Sequence, residues 1–167
     1  MQKIAGQLIY ALLIIGSTIA LPEILSTAHS EPADRIIVES MTSVAFDRII
    51  ADRESRYLIV FMTSWCGPCR EELPGLINLN NKYNGRGLKT IGISLDYDGP
   101  KAIQPLIDKV RVNFPVYWIN EETAKKYNIY AVPMIFLVKE GGIVEKIVGI
   151  RSEKHIDKKI NIFLEEK

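Results

Sequence analysis

The chain has 167 residues, which is enough for one folded domain and a short leader. Hydrophobic residues make up 47% of it, charged residues make up 25%, and the net charge at pH 7 is +1, all of which is typical of a globular protein. Because neither charge sign is in excess, the composition argues against nucleic acid or another charged polymer as a partner.

The first 28 residues differ from the rest of the chain. Lys3 is the only charged residue before Glu23, and residues 4–22 are mostly apolar. A basic start followed by an apolar run is typical of a secretory signal peptide, and the small residues that end at Ala28 permit cleavage there. The apolar run is also close to the length of a membrane span, so an uncleaved anchor stays open as the alternative. Both alternatives predict export to the periplasm or another extracytoplasmic space, with residues 4–22 holding an uncleaved chain to the cytoplasmic membrane.

A polar linker is predicted at residues 29–35, and the folded domain is predicted at residues 36–167. The leader and linker show no periodic apolar face that a core would need. We therefore expect residues 1 to about 35 to be dispensable for folding.

The domain alternates between strand patterns and helix patterns. The predicted strands lie at 36–38, 57–62, 88–94, 114–119, 133–139 and 143–148. The predicted helices lie at 44–51, 66–84, 101–110, 121–127 and 153–164, with Ser43, Asn120 and Ser152 as expected N-caps. The run at 57–62 is continuously apolar, which is typical of a strand buried on both faces of a parallel sheet. The alternation predicts an α/β fold, and the closing hairpin makes its central sheet mixed.

The segment Trp65-Cys66-Gly67-Pro68-Cys69 carries the strongest chemical signal. It follows the apolar strand and begins a helix. Two residues between the cysteines let their sulfurs close a disulfide across the first helical turn. A helix N-terminus is electropositive and has free N–H groups, which favour a thiolate on Cys66, and the thiolate is the species that attacks a disulfide. The spacing therefore predicts a redox-active dithiol.

Other uses of two cysteines fit this pattern less well. A purely structural disulfide rarely closes so short a loop at a strand-to-helix turn. A structural zinc site needs four ligands, and the two cysteines with the distant His29 and His155 do not supply them. Copper(I) accepts two soft thiolates, so a copper chaperone or an assembly factor for a respiratory oxidase stays open as an alternative. We expect no metal and no cofactor at the site.

Residues 63–74 resemble the active-site segment of the TlpA/ResA-like branch of the thioredoxin superfamily. The likeness covers roughly residues 40–165. Within it, residues 90–96 resemble the next strand of that family, and residues 114–116 resemble the strand in its central insertion. Residues 131–133 resemble the stretch that holds its cis-proline. The resemblance implies a thioredoxin-like fold with a central βα insertion.

The same resemblance implies an activity and a set of partners. Members of the branch are exported, are usually tethered to the membrane, and usually reduce disulfides in client proteins; disulfide oxidation or isomerisation is the alternative direction. Cys66 would be the nucleophile and Cys69 the resolving thiol, recharged by a membrane-embedded thiol electron donor. A cis Val132–Pro133 bond would leave the Val132 backbone free to pair with an extended client. The residues expected to contact the client are Trp65, Gly67, Pro68, Val132 and Pro133.

Two positions depart from the pattern of related proteins. Plain thioredoxins have an acidic residue in the strand before the motif, and Val60 stands there in this chain. Glu72 matches a glutamate that tunes the dithiol in some members and is the remaining candidate for proton transfer; its alternative is a solvated carboxylate in the first turns of the helix. Met134-Ile135 follows the predicted cis-proline where the cytochrome-maturation branch has Pro-Glu-Thr. This difference argues against a dedicated cytochrome c client, although a role in cytochrome c biogenesis stays open.

Overall fold

The computed structural model describes residues 35–165 of the chain. The predicted signal peptide or anchor at 1–28, and the linker up to residue 34, lie outside the described residues. Within 35–165, no helix combines the length and the apolar character needed to cross a membrane. The strands are β1 (Glu39–Ser40), β2 (Arg56–Met62), β3 (Leu88–Ser94), β4 (Val116–Trp118), β5 (Met134–Lys139) and β6 (Gly142–Val148). The α-helices are α1 (Ser43–Ala51), α2 (Gly67–Tyr83), α3 (Pro100–Val110), α4 (Glu121–Lys126) and α5 (Glu153–Glu165).

The strands form one mixed sheet in the order β1-β4-β3-β2-β5-β6. The first four strands of this order are parallel to one another, and β5 and β6 are antiparallel to their neighbours. The predicted α/β class and the mixed sheet are therefore confirmed. The α3–β4 segment, in which the sequence places the central insertion, brings β4 between β1 and β3.

Strand β2 separates two hydrophobic layers. Its even-numbered side chains, from Leu58 to Met62, pack into the layer that holds the apolar faces of α2, α3 and α5. Its odd-numbered side chains, from Tyr57 to Phe61, pack into the layer that holds α1 and α4. Successive side chains of a strand point to opposite faces, so a strand with apolar layers on both faces is apolar at every position.

The amino-terminal strand lies later in the chain than predicted. The sequence places a strand at 36–38, but the strand of the structure is Glu39–Ser40. The backbone groups of the earlier residues are hydrogen-bonded to the side-chain amide of Gln104 on α3. Its Nε2 donates to Ile36 O at 2.9 Å, and its Oε1 accepts from Val38 N–H at 2.8 Å. A side chain thus occupies the place that a neighbouring strand would have.

Helix α1 is capped by a residue other than the predicted one. The sequence predicts Ser43 as the N-cap, but Thr42 holds that position, and its Oγ1 accepts from Ala45 N–H at 3.2 Å. The Ser43 hydroxyl is instead hydrogen-bonded to the hydroxyl of Thr123. Asn120 is confirmed as the N-cap of α4 because its Oδ1 accepts from Thr123 N–H at 3.0 Å.

Two ends of the sheet can be distinguished. Helices between parallel strands run back across the sheet, so the carboxyl ends of β2 and β3 lie at the same end as the first residues of α2 and α3. We call this end the disulfide pole. The carboxyl ends of α1, α2 and α3 lie at the opposite end. The β5–β6 turn also lies there, where Gly141 N–H donates to Asp52 O at 3.1 Å.

Candidate active site

Cys66 and Cys69 are joined by a disulfide at the amino end of α2. The sulfurs are 2.03 Å apart and the Cα atoms 5.3 Å apart, so the two sulfurs close the bond that their spacing predicts. Cys66 is the N-cap of α2, and its Sγ accepts from Cys69 N–H at 3.1 Å. Cys66 is 5% exposed and Cys69 is 2% exposed. An N–H group in the first turn of the helix is therefore directed toward the sulfur on which a thiolate is expected.

The turn that precedes the cysteines is held by Asp96, for which the sequence predicts no role in the site. Both carboxylate oxygens of Asp96 accept from Ser64 N–H at 3.0 Å, and the hydroxyls of Ser64 and Ser94 donate to them at 2.6 and 2.8 Å. Asp96 is only 3% exposed. The signal that the sequence offered was an acidic residue just beyond a buried strand, at the edge where parallel strands end together. This carboxylate ties the turn that carries Cys66 to the end of β3.

The Val132–Pro133 peptide bond is cis, as the family resemblance implies. Met134 pairs with Phe61, so Pro133 lies next to the end of β2, from which the chain continues to Cys66. Pro133 O accepts from Gly149 N–H at 2.8 Å. Within 35–165, no backbone hydrogen bond engages the peptide groups of Val132.

A groove of about 790 Å³ lies beside the disulfide pole, and both Trp65 and Val132 line it. The Trp65 side chain is 62% exposed. Gly67 and Pro68 form the first turn of α2, where Pro68 is exposed, and they do not line this groove. The structure thus brings two of the predicted client-contacting residues into one cavity and leaves Gly67 and Pro68 at the tip of the helix.

Glu72 is buried, so its interpretation as a solvated helix residue is wrong. The residue is 5% exposed. Its Oε1 accepts from Arg151 N–H at 2.8 Å, and its Oε2 has no hydrogen-bond partner in the described part of the chain. Burial raises the pKa of this carboxyl, while the N–H group and the positive charge of Arg151 act in the opposite direction.

A cavity of about 380 Å³ adjoins Glu72 and is lined by α2 and by residues 150–153. The Arg151 guanidinium turns toward its own loop, where it donates to Ile150 O at 2.8 Å, and makes no ion pair with Glu72. The cavity is wide enough for water, so a proton can leave or reach the Glu72 carboxyl through it. Val60, at the position of the acid in plain thioredoxins, is fully buried in apolar surroundings.

The site offers few ligands for a metal ion. Among the described residues, no three His, Cys, Asp or Glu side chains lie together as a metal-binding group. Cys66 and Cys69 are the two cysteines of the chain, and here they are bonded to each other. The disulfide at a helix N-terminus, the open Val132 backbone and the buried carboxyl one turn after Cys69 are parts that thiol–disulfide exchange can use.

Comparison with known proteins gives the same picture. Residues 40–147 match the AhpC/TSA family. Sporulation thiol-disulfide oxidoreductase A from Bacillus subtilis is 24% identical over 138 residues, which cover 81% of this chain and 84% of the relative. Thiol-disulfide oxidoreductase ResA from Oceanobacillus iheyensis is 30% identical over 101 residues, which cover 59% of this chain and about half, 52%, of the relative. The crystal structure of a candidate thiol:disulfide interchange protein DsbE from Chlorobium tepidum matches with a TM-score of 0.62 at 25% identity, over 66% of this chain and 81% of that one. The thioredoxin-like fold is therefore confirmed.

Proposed function

This chain belongs to the AhpC/TSA family, and on that premise we propose that it is an exported thiol–disulfide oxidoreductase that reduces disulfides in client proteins. The observation that carries the proposal is the Cys66–Cys69 disulfide at the amino end of α2, where a helix N–H group is directed at Cys66 Sγ. The two relatives described above as thiol-disulfide oxidoreductases support this class of activity.

The reaction begins with the reduced enzyme. The Cys66 thiolate attacks one sulfur of the client disulfide, a mixed disulfide forms, and the other client sulfur leaves as a thiolate. Cys66 is the attacking residue because it is the N-cap of α2, where the helix dipole and the Cys69 N–H group favour negative charge.

Cys69 completes the reaction. It loses its proton and attacks Cys66 Sγ, and the bond between Cys66 and the client sulfur breaks. The client receives two electrons in total and leaves as a dithiol, and the enzyme is left with the Cys66–Cys69 disulfide. Glu72 accepts the Cys69 proton, directly or through one water in the adjoining cavity, because its pKa is raised by burial and one of its oxygens is unpaired.

The client docks along the chain that precedes Pro133. An extended client segment pairs with the unengaged Val132 backbone and thereby presents its disulfide to Cys66. Trp65, Gly67 and Pro68 flank the cysteines in the chain, and Pro133 lies next to the end of β2 that leads to Cys66, so these residues are the further client contacts that we propose. This mode of docking uses backbone groups, so it accepts clients of different sequence.

The leader bears on where the protein works and on how its dithiol is reduced again after each reaction. The apolar run at 4–22 after Lys3 supports translocation of the domain, with the cytoplasmic membrane at its amino end if the run is not cleaved. A dithiol that has reduced a client must be reduced in turn, and a membrane-embedded thiol electron donor is the partner that we propose for this step.

The direction of the reaction is tested by the reduction potential of the Cys66/Cys69 pair. Gly67-Pro68 is the dipeptide of strongly reducing thioredoxins, so we expect a potential on the order of −270 mV. The measurement is equilibration of the full chain in thiol–disulfide buffers of known potential. A value near about −120 mV would assign the protein to disulfide oxidation instead.

The roles of the two cysteines are tested by client trapping. A Cys69→Ser variant of the full chain cannot resolve the mixed disulfide, so client proteins should accumulate on Cys66. The matched control, Cys66→Ser, should trap none of them. Alkylation across a pH series should show Cys66 as the more accessible and more acidic thiol; a Cys66→Ser variant that traps clients equally well would reverse the assignment.

A further inference from the structure

Three exposed aromatic residues surround the groove beside Cys66. Trp65 is 62% exposed, Tyr97 is 87% exposed and Tyr130 is 77% exposed, and all three line the same cavity. They come from three separate segments: the turn before α2, the loop after β3 and the loop before Pro133. Large aromatic side chains that gather around one cavity, with most of their surface in water, are typical of a recognition surface.

The floor of this aromatic groove is apolar. It is formed by buried or half-buried side chains from the ends of β3 and β4, from α4 and from the loop that follows it, namely Leu95, Ile119, Ala124, Ile129 and Val132. The volume of about 790 Å³ is within the range of sites that enclose a ligand. An apolar client side chain that packs against this floor is removed from water, which favours binding of the client.

Most polar groups of the lining are already paired within the domain. The Glu121 carboxylate and the Lys125 ammonium group neutralise each other at 2.7 Å. The Trp118 indole N–H donates to Asp96 O at 2.7 Å. The Asp96 carboxylate also lines the groove, but it is 3% exposed and both of its oxygens accept from Ser64 and Ser94. A charged client side chain would therefore lose its water in the groove without gaining an exposed, unpaired charge as its partner. Within the described residues, the Thr63 hydroxyl is the buried polar atom of the lining that has no partner, and it carries no charge.

We propose that the aromatic groove selects clients that carry an aromatic or large aliphatic side chain close to the cysteine that Cys66 attacks. The groove borders the reacting centre, because its lining includes Trp65, the residue before Cys66, and Val132, the residue before the cis-proline Pro133. An extended client advances about 3.3 Å per residue, and side chains two residues apart lie on the same face. A large side chain two positions from the client cysteine thus reaches the groove. This inference rests on the proposed reductase function and adds the class of client to it.

The test uses disulfide-bonded peptides that differ only at the position two residues from the cysteine, with Phe, Gly or Lys there. We expect the full chain to reduce the Phe peptide with a kcat/KM about 10- to 30-fold above that of the Gly peptide, the factor that burial of one large apolar side chain supplies. The Lys peptide should be no better than the Gly peptide. In the variant Tyr97→Ser/Tyr130→Ser, the ratio of Phe to Gly should fall severalfold.

The matched control is Val144→Ser/Ile162→Ser, which also removes two exposed apolar side chains but lies on β6 and α5, outside the groove. It should keep the ratio of the unaltered chain, and thermal unfolding of both variants verifies that they are folded. Equal kcat/KM values for the three peptides, or a preference for Lys, would overturn the inference and leave the reductase function intact. Failure to reduce any of the peptides would contradict the reductase function itself.

Discussion

At the scale of single residues, Glu72 combines a buried carboxyl with an oxygen that has no hydrogen-bond partner among the described residues. Its Oε2 is buried without a partner, and an unpaired buried polar atom costs about 1–3 kcal/mol. A carboxyl kept in such surroundings has a raised pKa and exchanges its proton more readily near neutral pH, which is the property that the resolving step needs.

We predict that Glu72→Gln lowers the pKa of at least one cysteine by about one unit, because it removes a negative charge close to the dithiol. The same variant should slow the release of reduced client severalfold, since Gln cannot accept the Cys69 proton. Binding of the client should change little because the Val132 backbone is untouched. Thiol titration and single-turnover reduction of a model disulfide measure the three quantities.

The control for this variant is Glu71→Gln, which removes the neighbouring carboxyl, an exposed one, from the same helix. Its thiol pKa values and its rate of client release should match those of the unaltered chain. If Glu72→Gln behaved in the same way as this control, Glu72 would have no part in the proton transfer.

A second effect of Glu72 concerns stability against pH. The pKa of Glu72 is raised in the folded protein above its usual value of 4.5, so the folded chain binds this proton more tightly than the unfolded chain. The stabilisation is complete below about 4.5 and is lost as the pH rises through the folded pKa. Unfolding of the oxidised protein, in which the cysteines do not titrate, should therefore show the unaltered chain gaining stability relative to Glu72→Gln as the pH falls from 7. The gain should be about 1.4 kcal/mol for each unit of pKa shift. Parallel stability curves for the two proteins would contradict this account.

At the scale of secondary-structure elements, Gln104 attaches the amino-terminal segment to α3. We predict that Gln104→Ala costs about 2 kcal/mol of stability, because Ile36 O and Val38 N–H both lose their partner. The Val38 amide should exchange its hydrogen much faster, while amides of β2 and β3 follow only the global change. Asn78→Ala removes a side-chain amide that bonds to Glu153 on the surface and serves as the control. If hydrogen exchange at the Val38 amide were accelerated equally in the two variants, Gln104 would not be the residue that attaches the amino-terminal segment to α3.

The elements that sequence alone predicts well are those whose causes are local. Strand β3 has the predicted bounds, and the final helix, predicted at 153–164, is found at Glu153–Glu165 with Ile156, Ile160 and Phe163 buried, because periodicity and burial act along one segment. The strand predicted at 36–38 is not found there because the backbone of these residues is hydrogen-bonded to the side chain of Gln104, which is 66 residues away from Val38. The cap of α1 was misassigned because Thr123 engages Ser43 from another helix.

In the candidate site, too, the sequence predicts the local features and misses those that depend on distant residues. Cys66 and Cys69 are three residues apart, so their pairing was visible in the sequence. The burial of Glu72 depends on Arg151, 79 residues away, and the anchoring of Ser64 depends on Asp96, 32 residues away. Contacts between such distant positions are decided by the packing of whole elements and leave no local pattern to detect.

At the scale of the whole molecule, we predict that a chain shortened to begin at Ile36 unfolds cooperatively and retains its redox activity. Among the contacts of the described residues, it loses the Arg35–Asp108 ion pair at 2.9 Å, in which both side chains are partly exposed, so the loss should have little effect on stability. A chain that begins at Glu39 also loses the buried Val38 and should be less stable by about 2 kcal/mol. Thermal unfolding and insulin reduction measure both properties, and an aggregated or inactive product beginning at Ile36 would show that the earlier residues contribute to the domain.

The position of β4 in the sheet has a consequence for biosynthesis. Among the strands of residues 35–165, β1 is paired with β4 alone, through Glu39 with Tyr117 and Ser40 with Trp118. The amino end of the chain emerges first, from the ribosome and again on the proposed export across the membrane, so β1 emerges long before its partner β4. Strands β2 and β3 are hydrogen-bonded to each other along their whole length, so they can pair before β4 has emerged and while β1 is still unpaired. The order in which the strands join the nascent sheet therefore differs from the order in which they are made.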